Sequence, residues 1–287
     1  MGKAELEKER LNKTCTGEAQ TKELTEKKPC ALFFDVDGTL MDEHGVVPES
    51  AKKAIHTARQ RGNLIFINSG RPHQLAKWIL REVEADGLLC GCGTNLWRGD
   101  TELYRFVLPQ ELVQNICADC RKYRLDVFLE GPAGTMFDPE NRLPDAKSSI
   151  AFIGAQDGLA PYAFGDPAFL VSKFCLLTDK HSELTPFMKK YADAIQFIDR
   201  GGGFYECVPN GHTKGTAIEK MAALCGIAQE NTYGFGDSTN DLEMLKAVRH
   251  PVIMGVHDKA LEPYAEFITK PLEEDGIAFA MQHYGLI

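Results

Sequence analysis

Over the first hundred residues, uninterrupted apolar runs alternate with stretches of helical period. Ala31-Leu32-Phe33-Phe34 is continuously apolar, the pattern of a strand buried on both faces. Pro48 then opens a predicted helix whose apolar face is Ala51, Ile55 and Ala58, and Gly62 stops it. Leu64-Ile65-Phe66-Ile67 is a second buried strand. Pro72 begins another predicted helix, with Leu75, Ile79 and Val83 at four-residue spacing, and Leu88-Leu89-Cys90 is a third short strand. This strand–helix alternation predicts a doubly wound parallel sheet.

After Gly99 the pattern changes. Segments 101–108, 125–130, 134–138, 169–177, 195–199 and 203–208 read as strands, with helices near 109–123 and 183–192. Two rounds of helix followed by two strands predict a compact α+β unit. Alternation returns at Gly215. A helix runs through Ile218, Met221, Ala222 and Cys225, followed by a strand at Tyr233-Gly234-Phe235. A helix through Leu242, Leu245 and Ala247 precedes strands at Val252-Ile253-Met254 and Phe267-Ile268. The pattern predicts an α/β domain, 29–98 and 208–287, split by an inserted α+β domain over 99–207. The Gly91–Gly99 and Pro209–Gly211 regions are the expected hinges.

Residues 1–28 stand apart as a polar tail. They hold seven Lys and Arg and six Asp and Glu, with scattered Leu, too little apolar surface to pack. Pairs such as Glu9 with Lys13 and Glu18 with Lys22 support at most a loose helix. The whole chain of 287 residues is 44% hydrophobic and 25% charged, an ordinary globular composition. No apolar run is long enough to span a bilayer, and the polar start does not read as a signal peptide, so a cytoplasmic protein is expected. The net charge of -9 disfavours nucleic acid as a partner, yet leaves room for an anionic small substrate in a local positive field. Nine cysteines include a lone CxxC at Cys117 and Cys120. With no second pair of ligands nearby in sequence, buried reduced thiols are expected rather than a zinc or redox site.

The polar residues that follow the apolar runs carry the chemistry. Asp35 and Asp37 directly follow the first buried strand, at the end where open parallel sheets bind ligands. Asp37-Gly38 also suits a simple turn. Two carboxylates so close repel unless a cation is present. One can attack phosphorus, and the other can protonate a leaving oxygen and later deprotonate water. Gly38 allows a phosphate to approach the backbone. Ser69, after the second strand, reads either as a helix cap or, with the Gly70 and Arg71 amides, as an anion site. Lys214 sits at a helix start, where a cation opposes the helix dipole unless an anion lies nearby. Asp237 and Asp241 flank a third strand-to-helix turn, as caps or as ligands. Hard oxygens from several strand ends around one crevice suit Mg²⁺ shared with a phosphate.

In order, Asp35-Val36-Asp37-Gly38-Thr39-Leu40, Ser69-Gly70-Arg71, Lys214-Gly215 and Gly236-Asp237 with Asn240-Asp241 resemble the four motifs of the haloacid-dehalogenase-like phosphotransferases, over about residues 30–287. Asp35 and Ser69 are 34 residues apart, whereas 145 separate Ser69 from Lys214. That spacing resembles the Cof-type branch, whose cap lies between the second and third motifs. Glu274-Asp275-Gly276-Ile277 is similar to that branch's Asp-Gly-Val segment. Cys92-Gly93-Thr94 departs from its usual Asn-Gly-Ala, and Ser238-Thr239 stands where Gly is frequent.

The resemblance implies a Rossmann-like core with an α+β cap. It implies Asp35 as nucleophile and Asp37 as acid/base. Mg²⁺ would be held by the Asp35 carboxylate, the Asp37 carbonyl and Asp237, with Asp241 in support. Phosphate would be held by Ser69, Lys214, Asn240 and loop amides such as that of Gly70. The expected function is Mg²⁺-dependent hydrolysis of a small phosphorylated metabolite, a sugar phosphate or a phosphorylated cofactor, by a monomer or homodimer. A phosphohexomutase and a catalytically silent binding protein are the alternatives. Cap residues would choose the substrate. Lys173 and Glu206, charges within apolar strands, either pair with each other, lie on exposed sheet faces, or project into the pocket; with Arg71 they are the candidates for substrate specificity.

Overall fold

The computed structural model describes residues 28–287; the expected polar tail, save Lys28, lies outside them. The apolar run Ala31–Phe34 forms β1, fully buried at the centre of an eight-stranded sheet. It pairs in parallel with Leu64–Asn68 (β2) on one side and Thr232–Gly236 (β11) on the other. Gly87–Cys90 (β3) extends the parallel sheet beyond β2; His250–Ile253 (β12) and Phe267–Ile268 (β13) extend it beyond β11.

Alternation along β1 explains why all four residues are apolar. Leu32 and Phe34 pack on one face with Ile55 and Ala58 of the helix Glu49–Gln60 and with Ile277 and Met281 of Gly276–His283. Ala31 and Phe33 pack on the other with Ile218 and Met221 of Lys214–Cys225 and Met244 of Leu242–Ala247. Phe34 stacks on Phe235 with ring centroids 4.4 Å apart, and Phe33 on Phe66 at 5.2 Å. Each such buried ring contributes about 1.5–3 kcal/mol of transfer free energy. The expected doubly wound α/β sheet is therefore present.

Several elements differ from the sequence reading. Asn95–Arg98 (β4) and Thr101–Arg105 (β5) form an antiparallel hairpin on β3, so residues 101–105 belong to the larger sheet rather than to the inserted one. The same pairing places the expected hinge Gly91–Gly99 in this sheet, as a 3₁₀ turn followed by β4. The helix expected after Pro72 is two short turns, His73–Ala76 and Ile79–Glu82.

The chain leaves the larger sheet between Arg105 and Gln110 and returns between Pro209 and Lys214. Between these crossings lies a five-stranded antiparallel sheet of Asp126–Gly131 (β6), Gly134–Phe137 (β7), Lys173–Leu177 (β8), Ile195–Asp199 (β9) and Phe204–Pro209 (β10), in the order β7-β6-β8-β10-β9. One face carries Val127, Leu129, Phe174, Leu176 and Cys207, packed with the helices Gln110–Lys122 and Leu184–Tyr191. The opposite face carries Phe128, Glu130, Lys173, Cys175, Phe204 and Glu206, all of which line a cavity. A helix that the sequence reading lacked, Pro144–Ala155, closes one side of that cavity. Pro144 at its first turn is a legitimate start signal.

Gly215 couples this packing to the site. A Cβ there would sit 2.3 Å from the carbonyl oxygen of Glu243, at the contact between two helices. Alanine ordinarily improves a helix, but here it must push Lys214–Cys225 away from Leu242–Ala247. Gly215→Ala is expected to lower the unfolding free energy by about 1–3 kcal/mol in urea titrations.

Candidate active site

β1, β2 and β11 end at the same edge of the sheet, and each delivers a polar residue there. Asp35 follows β1, its amide donating to the Phe235 carbonyl at 3.0 Å. The chain then turns tightly, with the amides of Thr39, Leu40 and Met41 converging on the Val36 carbonyl. Gly38 has φ +85°, and a Cβ on it would lie 2.5 Å from Asp237 Oδ2, so both backbone and space require glycine.

Lys214 is buried with two carboxylates. Its Nζ donates to Asp35 Oδ1 at 2.5 Å and to Asp241 Oδ1 at 2.6 Å. Thr213 caps this helix through a reciprocal exchange with Thr216, each bond 3.0 Å, and Asn68 Nδ2 donates to the Lys214 carbonyl at 2.9 Å. The Asp241 carboxylate is used twice: Oδ1 takes the lysine, and Oδ2 takes the amides of Asp237 and Ser238 at 3.0 and 3.3 Å. Asp237 Oδ1 accepts a 2.7 Å bond from Thr39.

Carboxylate oxygens of Asp35, Asp237 and Asp241 lie within 4.8 Å of one another. Burial, then the Asp241 carboxylate, push Asp35 up to about 7 despite Lys214. Burial likewise pushes Asp237 up to about 6, against its bond from Thr39. Burial alone would lower Lys214, but Asp241 and Asp35 hold it well above the usual lysine range. Three crowded carboxyl groups with one ammonium among them form a donor set that a hard divalent cation fits. The Asp37 carboxylate does not join this group. It is more than half exposed and accepts a 2.7 Å ion-paired bond from Arg71.

Ser69 is buried, and its Oγ accepts the Arg71 amide at 3.2 Å. Asn240 Oδ1 accepts a short bond from the Ser238 hydroxyl. A cavity of about 710 Å³ opens over these groups, lined by Asp35, Asp37, Ser69, Gly70, Arg71 and Asn240 on the sheet side. Lys173 and Glu206 line it from the insert and also pair with each other at 2.8 Å, so two of the sequence alternatives coexist. Lys214, Asp237 and Asp241 support the floor behind Asp35.

The sequence reading missed Glu130, which pairs with Lys173 at 2.5 Å, and Arg200, which lines the cavity near Glu206. Glu130 carried the same signal as Lys173, a charge in an apolar strand. The Cys92 thiol donates to Glu206 at 3.2 Å, from a residue held at φ +53°. Cys117 and Cys120 are buried thiols without a disulfide.

This arrangement, acidic strand ends with a buried lysine beneath an inserted sheet, defines a class of phosphoryl-processing hydrolase. Residues 32–281 match the haloacid dehalogenase-like hydrolase family, and the chain belongs to it. It is 29% identical over 259 residues to YkrA of Bacillus subtilis (strain 168), covering 89% of this chain and 98% of that protein. It is 26% identical over 274 residues to the 5-amino-6-(5-phospho-D-ribitylamino)uracil phosphatase YwtE of the same organism, covering 86% of this chain and 95% of that one. The solved structure of the HAD subclass IIB sugar phosphatase BT4131 superposes with a TM-score of 0.77 at 26% identity, covering 90% of this chain and 100% of that one. The enzyme class expected from the sequence, a haloacid dehalogenase-like phosphatase, stands.

The raised carboxylates fix the sign of a pH effect. The folded state holds protons on Asp35 and Asp237 more tightly than the unfolded chain does. Their contribution is therefore fully present below the ordinary aspartate value of 3.8 and is lost as pH rises through about 6 and about 7. Metal-free protein is expected to lose thermal stability across that window, and Asp35→Asn to flatten the loss. Added Mg²⁺ should raise the melting temperature more at the alkaline end than at the acid end. A scanning-fluorimetry series over pH, with and without Mg²⁺, checks this.

Proposed function

We propose that the chain hydrolyses a small phosphomonoester, a sugar phosphate or a phosphorylated cofactor, through a phosphoryl group carried on Asp35. The single observation that supports this most is the buried Lys214–Asp35 pair at the floor of a large cavity, with Asp37 beside it and outside the buried charge cluster. Substrates named for similar proteins, a phosphorylated ribitylaminouracil for YwtE and sugar phosphates for BT4131, have the same chemical form.

Lys214 fixes the orientation of Asp35 and offers positive charge to the phosphate oxygens. A carboxylate oxygen of Asp35 attacks phosphorus, the ester P–O bond breaks, and the leaving oxygen takes a proton from Asp37. Water then attacks the acyl phosphate while Asp37 takes its proton, releasing phosphate and restoring both carboxyl groups. Arg71 orients Asp37 towards the cavity through their 2.7 Å bond. Ser69, the Gly70 amide and Asn240 bind the phosphoryl oxygens. The donor set fits Mg²⁺ held by Asp35, Asp237 and the Asp37 carbonyl, with Asp241 securing the loop. Bound there, Mg²⁺ would neutralise phosphate charge and favour phosphoryl transfer.

Phosphate release from a panel of phosphorylated metabolites tests the reading directly. Asp35→Asn is expected to abolish release while the circular dichroism spectrum stays native. Formation of an isomeric sugar phosphate instead of free phosphate would point to a mutase. Asp37→Asn is expected to slow a sugar phosphate by about 10²–10⁴-fold and an aryl phosphate, whose leaving group needs less protonation, by less. Steady-state kinetics on both substrates read that difference; an equal loss on both would count against Asp37 as the acid.

A further inference from the structure

The insert side of the cavity is rich in charge and has no positive excess. Glu130, Lys173 and Glu206 come from three neighbouring strands and are all buried. Lys173 Nζ lies 2.5 Å from Glu130 Oε2 and 2.8 Å from Glu206 Oε1, so its charge is answered twice. Arg200 Nε is 4.0 Å from Glu206 Oε2. These two cations and two anions cancel, and Asp145 on the same cavity adds one more negative charge. Across the cavity, Arg71 is engaged by Asp37.

The carboxylates retain accepting capacity. Glu130 is held by Lys173 alone among the described residues, through Oε2. Glu206 Oε1 accepts from Lys173 and from the Cys92 thiol, while its Oε2 has only the distant Arg200. Glu206 also hangs directly over the second motif, since a Cβ on Gly70 would lie 2.7 Å from its Oε1. A leaving group esterified to a phosphate on that loop therefore meets Glu206 within its first few atoms. The remaining walls, such as Phe128, Phe204 and Leu75, are apolar.

We propose that this side of the cavity selects phosphate esters whose leaving group is neutral and carries O–H or N–H donors near the ester. It excludes a second anionic group, which would face two buried carboxylates whose charge Lys173 and Arg200 do no more than balance. The inference deepens the phosphatase reading and rests on it for the position of the ester. Like-charge juxtaposition in a desolvated site costs enough to give discrimination of at least about tenfold.

The test compares kcat/KM for glucose 6-phosphate with fructose 1,6-bisphosphate and 6-phosphogluconate, in the wild type and in Glu130→Gln and Glu206→Gln. The neutral ester is expected to be favoured by at least about tenfold, and each variant to narrow the ratio by about tenfold. Binding of the same three esters to Asp35→Asn by calorimetry reads the same preference without chemistry. A wild type that processes or binds the bisphosphate or the acid as well as the neutral ester overturns the proposal. Unchanged ratios in both folded variants, confirmed by their melting curves, overturn it as well. Retained preference in binding with no turnover of any ester by the wild type would instead overturn the phosphatase reading alone.

Discussion

The ammonium of Lys214, lodged between Asp35 and Asp241, is the interaction on which the site depends. Three titratable groups sit out of water within one short span of strand ends and a helix start. Such a cluster is held only when every member is answered; leaving one charge unpaired costs about 3–5 kcal/mol. Asp241 meets that demand by also accepting two amides of the loop that carries Asp237. The lysine therefore does more than present charge to a ligand. It ties β1, the loop after β11 and the helix Lys214–Cys225 to one another, and the Thr213 cap with Asn68 holds its own backbone in place.

Much of this was legible because parallel strands buried on both faces are written as continuous apolar runs. β1 and β2 stand out for that reason, β11 follows from the returning strand–helix alternation, and Asp35, Ser69 and Asp237 could be placed at their ends without a structure. Distances along the chain also showed where a cap-sized insert had to lie. What sequence could not separate were residues with equivalent local contexts. Asp35 and Asp37 are two residues apart, yet one is buried against a lysine and the other is half out in the cavity with an arginine. β5 alternates exposed and half-buried positions, and nothing in that alternation says which sheet it joins. The helix Pro144–Ala155 buries only Ala146 and Ile153 and leaves Phe152 exposed, so its apolar period is faint.

The two sheets divide the chemistry by physical means. The larger one offers backbone amides and fixed carboxylates at strand ends, groups that suit a phosphate whatever it is attached to. The smaller one offers side chains from one face of an antiparallel sheet, where each residue can change without moving its neighbours' backbone. Cys92 connects them, reaching from a left-handed turn in the larger sheet to Glu206 in the smaller. A residue in that backbone region carries a conformational cost, and the thiol bond to a buried carboxylate helps offset it.

The pairing of β1 with β11 has a consequence for how the chain reaches this state. Asp35 and Lys214 are 179 positions apart, and β1 takes its second parallel partner only from residues 232–235. Contacts within the insert span far shorter stretches of chain and can close early. During synthesis the insert can condense first, while Ala31–Phe34 waits with one edge open until residues 232–235 have emerged. A wholly apolar central strand thus waits for its full complement of neighbours, and the interval before β11 arrives is when the nascent chain is most exposed to self-association.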